Sequence, residues 1–472
     1  MNQEPSVRAA AKAAPSGHTG SRSIFDLAAV IDARPVGRFQ VWVLVLIGCS
    51  VTMDGFDLQS MGFVAPALVR AWGITLPALG PIFGAGLLGM LLGSLSLGVV
   101  ADRIGRRPVL IGATLIFGLF MLGTAFTRSV HQMMLMRLFT GFGVGGVMGN
   151  AVSLATEYSP RRRSASLLMW ISCGFTGGAI LGGLVSALLI PRHGWQSVFV
   201  VGGVLPLLIA TAMYRYLPES LQFLARNPRH RGRMQRWLNA LVPDVSFDFS
   251  SGNSVAPQKP ALAAVAELFR ARRAVMSVLL WGISFANLLD LYFLANWLPT
   301  LATRMGHGSS AAVLLGTTLQ LGGFAGAIVM GPMIDRRGFF RILIPAFIIA
   351  AAAIITLGRP ELPLHLLFLV VLVTGVMIVG AQPAINVLAA TLYPTELRAT
   401  GVGWTLGIGR IGSIVGPVAA ARFIAMHWSI SDLFVVAAVP ALVSCTLLAI
   451  LQWVIARRTS ARAGEIRSNA IV

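Results

Sequence analysis

Two aspartates lie three residues apart inside the first long apolar stretch of the chain, in the segment Asp54-Gly55-Phe56-Asp57. In a helix this spacing places both carboxylates on one face. A charged side chain at the centre of a bilayer costs about 2.5 to 3.5 kcal/mol on insertion scales, so acidic residues inside membrane helices usually serve a function. Two adjacent carboxylates also repel each other, and we expect at least one to hold a proton near neutral pH.

Asp54 and Asp57 are therefore predicted to form a proton-binding pair. The alternative is that one of the two is the structural partner of a buried arginine.

An isolated arginine, Arg410, lies in the eleventh apolar stretch, among Gly407, Gly409 and Gly412. It follows Arg398 by twelve residues, a distance of roughly 18 Å at the rise of a helix. A guanidinium at this depth needs an anion, and its planar fork of donors matches a carboxylate. We predict that Arg410 binds the carboxylate of a substrate, and a permanent ion pair with the membrane aspartates is the alternative.

Other polar and aromatic side chains in the apolar stretches are candidates for the same binding site. Asn150 and Gln382 lie at comparable depth in the fourth and tenth stretches, where their amides can donate to a hydroxyl or carboxylate group. Asp290 lies in the seventh stretch, and Trp281 and Phe285, earlier in that stretch, can stack on an aromatic ring. We assign all five to substrate binding; hydrogen bonding between helices and ordinary packing are the alternatives.

The composition places these residues in a membrane protein. Hydrophobic residues make up 56% of the 472 residues and charged residues only 11%, which is too little polar surface for a soluble globule of this length. The apolar runs are mostly 18 to 28 residues long, enough for a helix to cross a bilayer. We predict an all-α membrane protein whose twelve transmembrane helices form two six-helix parallel repeats, with lipid as its surroundings.

The composition also excludes several classes of function. The net charge of +20 is spread over short segments between the apolar runs and forms no single basic patch, so we expect no nucleic-acid partner. Cys49, Cys173 and Cys445 stand alone, without a disulfide framework or a metal-ligand spacing. Walker, nucleophile-elbow and zinc motifs do not occur. We therefore expect no enzymatic activity, no metal and no cofactor other than a proton gradient.

Arginines concentrate after the even-numbered apolar runs, which by the positive-inside rule makes both termini and the long central loop cytoplasmic. The first run is too long for a removable signal peptide, so we keep it as a transmembrane helix. The predicted order is a tail at residues 1–38, a six-helix bundle at 39–217, a loop at 218–273, a second six-helix bundle at 274–456 and a tail at 457–472.

The strongest local patterns occur twice, at an offset of 233 to 235 residues, which is about half the chain. Asp57 corresponds to Asp290. Two candidate residues break this repeat, because Asp54 corresponds to Asn287 and Arg410 to Phe175. The unshared pair of Asp54 and Arg410 is therefore the sharpest site prediction from the repeat.

The segment Gly98-x-x-x-Asp102-Arg103-x-Gly105-Arg106-Arg107 resembles the loop signature between the second and third helices of the major facilitator superfamily. Its glycines permit a tight turn, and its aspartate can cap a helix and pair with arginines across the seam between the two halves. Such contacts would hold the cytoplasmic side shut and break in the opposite state. The alternative is that these arginines only set the topology.

We predict gating roles for this loop signature, for its repeat and for the charges near it. Glu157 and Glu396 are interpreted as partners in salt bridges at the seam. The full set is Gly98, Asp102, Arg103, Gly105, Arg106, Glu157, Asp335, Arg336, Glu396 and Arg398.

Three elements resemble the aromatic acid:proton symporters, one family of that superfamily. They are Asp54-Gly55-Phe56-Asp57, the following segment 62–68 and the segment 393–403. The resemblance implies the major facilitator fold and uptake of small aromatic carboxylates, such as hydroxybenzoates, with protons across a bacterial inner membrane. It also implies transport roles for the first-helix aspartates, the loop aspartates, Arg398 and Arg410. Arg137 resembles the superfamily's fourth-helix arginine, which is associated with proton coupling.

In the mechanism we predict, the Asp54 and Asp57 pair takes up a proton, Arg410 binds the anion between the halves, and rocking exposes both to the cytoplasm. We expect the protein to function as a monomer.

Two other functions stay open. The fifth stretch nearly matches a motif of proton-linked drug exporters, with Ala179 where those proteins have proline, which would favour efflux of amphipathic compounds. The arginine-rich central loop would suit a transporter-like sensor.

Overall fold

The computed structural model describes residues 37–226, 267–269, 273–393 and 397–469. Within these residues the chain forms twelve helices that are long and apolar enough to cross a membrane. The N-terminal half contains α1 (Arg38–Trp72), α2 (Leu79–Ile104), α3 (Arg106–Thr124), α4 (Val130–Tyr158), α5 (Arg161–His193) and α6 (Gln196–Tyr216). The C-terminal half contains α7 (Arg273–Arg304), α8 (Ser309–Arg337), α9 (Phe339–Leu357), α10 (Leu364–Leu392), α11 (Arg398–Ala425) and α12 (Ile430–Arg457).

The predicted all-α class and the twelve transmembrane helices are confirmed. α6 ends at Tyr216 and α7 begins at Arg273, on either side of the predicted central loop. Leu221–Arg226 forms a short helix at the start of that loop, most of which lies outside the described residues. The helix of α12 continues to Asn469, so the described part of the predicted C-terminal tail is helical.

Each half turns sharply between its second and third helix, at a glycine. The backbone φ is +105° at Gly105 and +83° at Gly338, values that side chains rarely permit. These glycines occupy equivalent positions in the loop signature and in its repeat. The positive φ at this turn therefore explains why the signature ends in glycine in both halves.

Glycines also let helices touch backbone to backbone, and the two halves use them in the same way. On α1, a Cβ atom at Gly55 would lie 1.8 Å from the carbonyl oxygen of Phe175 on α5. On α11, a Cβ atom at Gly412 would lie 2.2 Å from the carbonyl oxygen of Phe285 on α7. Membrane helices gain stability from such close packing because lipid supplies no hydrophobic force between them.

The two halves meet at the end of the bundle that lies away from Asp102 and Asp335. We call the end that carries these two aspartates the signature end, and the other the opposite end. At the opposite end, residues of the two halves are in contact in the pairs Gly62 with Ala295, Gly80 with Ala421, Gly183 with Thr317, and Arg70 with Ser309. The opposite end of the bundle is therefore closed.

The crossing of α1 and α5 predicts a sharp difference between two neighbouring glycines. A Cβ atom at Gly178 would lie 1.8 Å from the carbonyl oxygen of Thr52, whereas one at Gly177 would meet nothing within 4 Å. Gly178→Ala should lower the free energy of unfolding by about 1–3 kcal/mol, as overpacking does elsewhere. The measurement is the melting temperature of purified protein in detergent, where Gly177→Ala, the matched control, should melt no lower than the wild type. Equal melting of the two variants would contradict this packing.

Candidate functional site

Asp57 on α1 and Arg137 on α4 form a buried ion pair with two contacts. Nη1 of Arg137 lies 2.5 Å from Oδ1 of Asp57, and Nη2 lies 3.2 Å from Oδ2. The arginine and aspartate side chains are only 6% and 2% exposed. A guanidinium and a carboxylate joined by two contacts in this way balance each other's charge inside the bilayer.

Asp54, one turn earlier on α1, has a different environment. Its side chain is fully buried, and neither carboxylate oxygen has a hydrogen-bond partner among the described residues. The charges that act on it are those of Arg410, from the other half, and Asp57. The structure therefore separates the two aspartates that the sequence predicts to act as a pair. Asp57 is the partner of a buried arginine, the alternative that the sequence left open.

Arg410 lies on α11 and reaches across to the N-terminal half. Its Nη1 atom donates a hydrogen bond of 3.3 Å to the carbonyl oxygen of Met90 on α2. Gly412, two residues later, holds α11 directly against the backbone of α7. The glycines around Arg410 thus set the depth and the direction from which the guanidinium enters the space between the halves.

Two residues of α7 belong to this site although the sequence analysis did not assign them to it. The charges of Arg410 and Asp54 both act on Tyr292, which is 8% exposed. Asn296, one turn later, donates a hydrogen bond of 2.8 Å to the carbonyl oxygen of Tyr292. A tyrosine and an amide four residues apart in an apolar stretch lie on one helix face, which is the signal that would have found them.

A narrow cleft runs between the two halves beside these groups. Asp57, Arg137 and Met90 line it on the N-terminal side, and Asn296 lines it on the C-terminal side. Phe83 and Leu87 add apolar surface. The volume of the cleft, about 20 Å³, is room for about one water molecule, so an aromatic acid could enter between these polar groups and apolar walls only if the cleft widens.

Asp54 and Arg410 are not among the residues that line this cleft, and the structure does not bring the other predicted binding residues into it. Asn150 donates a hydrogen bond of 2.8 Å to the carbonyl oxygen of Gly146 on its own helix. Gln382 accepts a hydrogen bond of 2.7 Å from Asn287 and donates one of 3.2 Å to Asn386. The amide of Gln382 thus joins α10 to α7, the interpretation that the sequence left as the alternative, whereas the amide of Asn150 bonds within α4.

The aromatic candidates also pack against other residues. The ring of Trp281 stacks on that of Trp404 at 5.6 Å between centroids, and Phe269 meets it edge-on. Phe285 contributes its backbone to the crossing with Gly412. Stacking on a substrate ring stays a prediction for both.

Asp290 is fully buried on α7, and neither of its oxygens has a hydrogen-bond partner among the described residues. Unlike Asp57, it has no ion-pair partner among the described residues. It is also not among the residues that line the cleft.

The predicted gating residues lie at the signature end, where the described contacts stay within one half. Arg106 forms a salt bridge with Glu157 on α4, and Ser220 also donates a hydrogen bond to Glu157. The backbone N–H of Arg107 donates a hydrogen bond of 3.0 Å to Glu219, whose carboxylate packs against Gly105. The salt bridge described for Glu157 thus lies inside the N-terminal half, and not at the seam.

Four other charged residues of the signature and its repeat are exposed: Asp102, Arg103, Asp335 and Arg336. Gly98 has open space where a side chain would stand. Glu396 lies outside the described residues, as does the side chain of Arg398, the first residue of α11. Gating by the whole set stays a prediction.

The sequence profile of the Major Facilitator Superfamily matches residues 47–417 and 280–470. The chain is 38% identical to the 4-hydroxybenzoate transporter PcaK of Pseudomonas putida, over 88% of this chain and 93% of that protein. It is 37% identical to a gallate transporter of Pseudomonas putida, over 87% of this chain and 91% of that protein.

Solved structures show the same fold at low sequence identity. A bacterial homologue of the human lysosomal transporter Spinster, in an inward-facing and occupied conformation, superposes with a TM-score of 0.67 at 16% identity. That match covers 89% of this chain and 98% of the other. The D-xylose–proton symporter superposes with a TM-score of 0.63 at 17% identity, over 85% and 97% of the two chains.

The different environments of the two aspartates predict different effects on folding. Asp57→Asn leaves Arg137 buried without its counter-charge, which should lower the free energy of unfolding by about 3–5 kcal/mol. Asp54→Asn removes no hydrogen bond of the described structure and should melt close to the wild type. The measurement is the melting temperature of the purified variants in detergent.

The double variant Asp57→Asn with Arg137→Gln is the control, because it removes both charges of the pair. It should recover much of the stability that Asp57→Asn loses. If Asp54→Asn were the more destabilising of the two single variants, the assignment of the ion pair to Asp57 would be wrong.

Proposed function

Because the chain belongs to the Major Facilitator Superfamily, and is thus a transporter and not an enzyme, we propose that it takes up small aromatic carboxylates together with protons. The observation that carries this proposal is the buried carboxyl of Asp54, without a hydrogen-bond partner, under the charge of Arg410 from the other half. The substrate class comes from relatives that are named transporters of 4-hydroxybenzoate and gallate, both of which are aromatic rings bearing a carboxylate.

Competition for Arg410 couples the proton to the substrate. When Asp54 gives up its proton in the empty site, the charge of Arg410 stabilises the carboxylate that forms. When the carboxylate of a substrate binds Arg410, two negative charges share a region of low dielectric, where their repulsion is strong. Asp54 relieves the repulsion by taking up a proton, so that binding of the anion and binding of the proton favour each other.

The ion pair of Asp57 and Arg137 is the fixed part of the site in this mechanism. Both of its charges are already balanced, and both side chains line the cleft. We assign proton coupling to Asp54, and to Asp57 and Arg137 the role of keeping this wall of the cleft polar and rigid. The amide of Asn296 provides a donor from the C-terminal half for a hydroxyl group or the carboxylate of the substrate.

One proton per monoanion makes the transport cycle electroneutral. An anion moving alone would oppose an inside-negative membrane potential at about 2.3 kcal/mol per 100 mV, and the proton removes this penalty. With the signature end in the cytoplasm of a bacterium and the protein in its inner membrane, the closed opposite end faces outward. The protein works as a monomer and requires no cofactor beyond the proton gradient.

Packing accounts for the glycines of α5 that favoured efflux. Gly174 and Gly178 face Thr52 on α1, and Gly182 faces Phe56 on the same helix. These contacts hold α5 against α1 whatever the direction of transport. No described residue of the central loop supports the sensor alternative, because most of that loop lies outside the described residues.

Uptake of labelled 4-hydroxybenzoate into cells, with and without a proton uncoupler, tests the proposal. Wild-type protein should accumulate the label, and the uncoupler should abolish the accumulation. Asp54→Asn should lose accumulation but retain exchange of internal for external substrate, because a permanently neutral residue 54 mimics the protonated state. Accumulation by Asp54→Asn at the wild-type level would refute the coupling role of Asp54. Drug resistance of expressing cells without uptake would indicate efflux instead.

Arg410→Gln should weaken binding by about tenfold or more, because hydrogen bonds to charged groups contribute about 1.5–3 kcal/mol. Both accumulation and exchange should therefore fail at low substrate concentration. Arg422→Gln is the matched control, since Arg422 lies on the same helix but is exposed. It should transport normally. Equal losses in the two variants would mean that Arg410 acts only through the general charge of α11.

A further inference from the structure

Asp290 is a buried carboxyl group that no cation or hydrogen-bond donor contacts among the described residues. Its side chain is 0% exposed, and both oxygens lack a hydrogen-bond partner among the described residues. The corresponding residue of the N-terminal half is Asp57, which Arg137 holds by two contacts. The same position of the repeated unit is therefore paired in one half and unpaired in the other.

The C-terminal half has no arginine at the position that corresponds to Arg137. Adding the repeat offset of 233 to 235 residues to 137 gives Val370, Val371 and Leu372 on α10, all of which are apolar. The missing partner is thus a feature of the sequence, and not of one side-chain conformation.

The neighbours of Asp290 along α7 show that its own half surrounds it. Asn287, one turn before, donates a hydrogen bond of 2.7 Å to Gln382 on α10. Phe293, one turn after, packs its ring against Phe434 on α12, with 6.0 Å between centroids. Residues three apart share a helix face, so Asp290 lies on the face that α10 and α12 cover.

Charged and titratable groups do occur on the elements that pack against α7, but among the described residues none of them forms an ion pair or a hydrogen bond with the carboxyl of Asp290. Arg410 acts on Asp54 and Tyr292 instead. The groups in question on the described parts of the neighbouring helices are Arg38, Cys49, Asp54, Asp57 and Arg70 on α1, Asp335, Arg336 and Arg337 on α8, His365 on α10, Arg410 and Arg422 on α11, and Asp432, Cys445 and Arg457 on α12.

An ionised carboxylate without a cation or a hydrogen bond is not tolerated in such a place, and the group takes up a proton instead. Alternating access moves the two halves largely as rigid bodies, so contacts inside one half persist in both states. The surroundings of Asp290 therefore stay the same throughout the transport cycle.

We propose that Asp290 is a second proton-binding site, occupied in every state of the transporter, and that its proton does not take part in coupling. The hydroxyl of the neutral acid would be a donor one helical turn from Asn287, whose Oδ1 is a buried acceptor without a partner among the described residues. Asp290 is then a positioning residue. It orients the amide that joins α7 to α10, and only its exclusion from coupling rests on the proposed function.

Infrared spectroscopy tests the neutral acid directly, on purified full-length protein in lipid nanodiscs. The wild-type spectrum should contain the carbonyl band of a protonated carboxylic acid, from mildly acidic to mildly alkaline pH, and Asp290→Asn should remove that band. If no such band is lost in the variant at alkaline pH, Asp290 is ionised and the proposal falls. This measurement does not depend on any transport activity.

Uptake measurements test the exclusion from coupling. Asp290→Asn keeps a donor for Asn287 and should retain uncoupler-sensitive uptake and the wild-type number of protons per substrate molecule, whereas Asp54→Asn loses uphill uptake. Asp290→Leu keeps the branching at Cγ but removes the donor, and should melt at a lower temperature than Asp290→Asn. A changed proton ratio in Asp290→Asn would make Asp290 a coupling carboxyl and overturn the proposal. Absence of uptake by the wild type would instead overturn the proposed function.

Discussion

A charge inside the bilayer must be balanced by an opposite charge or by a proton, and this constraint accounts for the arrangement of the site. Three carboxyl groups are buried on the helices that begin the two halves. Arg137 balances Asp57 by direct contact, and Arg410 acts on Asp54 from across the boundary between the halves. Asp290 has neither, and we infer that a proton neutralises it. Of the three, only the charge balance of Asp54 can change when an anion binds Arg410, which is why we assign coupling to Asp54.

Close packing of helices sets the distances on which this balance depends. Gly55 brings α1 against α5, and Gly412 brings α11 against α7, each with no room for a Cβ atom. Because α1 carries Asp54 and α11 carries Arg410, these two crossings fix the carboxyl and the guanidinium relative to their own halves. Any change in the distance between the two groups must then come from movement between the halves.

Much of the fold could be predicted from the sequence, because each transmembrane helix has to be apolar over the thickness of the bilayer. The repeat also singled out Asp54 and Arg410, which the structure places within electrostatic reach of each other. The sequence did not show that Arg137 contacts Asp57 and not Asp54, because a spacing of three residues defines a shared face but not the neighbour of each side chain. Tyr292 and Asn296 were missed because the sequence does not show which neighbouring helix an uncharged side chain in an apolar stretch faces. The amide of Gln382 joins two helices and that of Asn150 bonds within its own helix, so neither lines the cleft, an outcome that depends on tertiary packing.

The correspondence of Asp54 with Asn287, and of Arg410 with Phe175, bears on the history of the chain. Two identical six-helix units in a symmetric dimer would carry either two such carboxyls and two such arginines or none. Fusion of the units into one polypeptide allowed their copies to diverge, so that one contributes a single acid and the other a single base. The two halves could thereby come to differ at these positions, an asymmetry that two identical units cannot have.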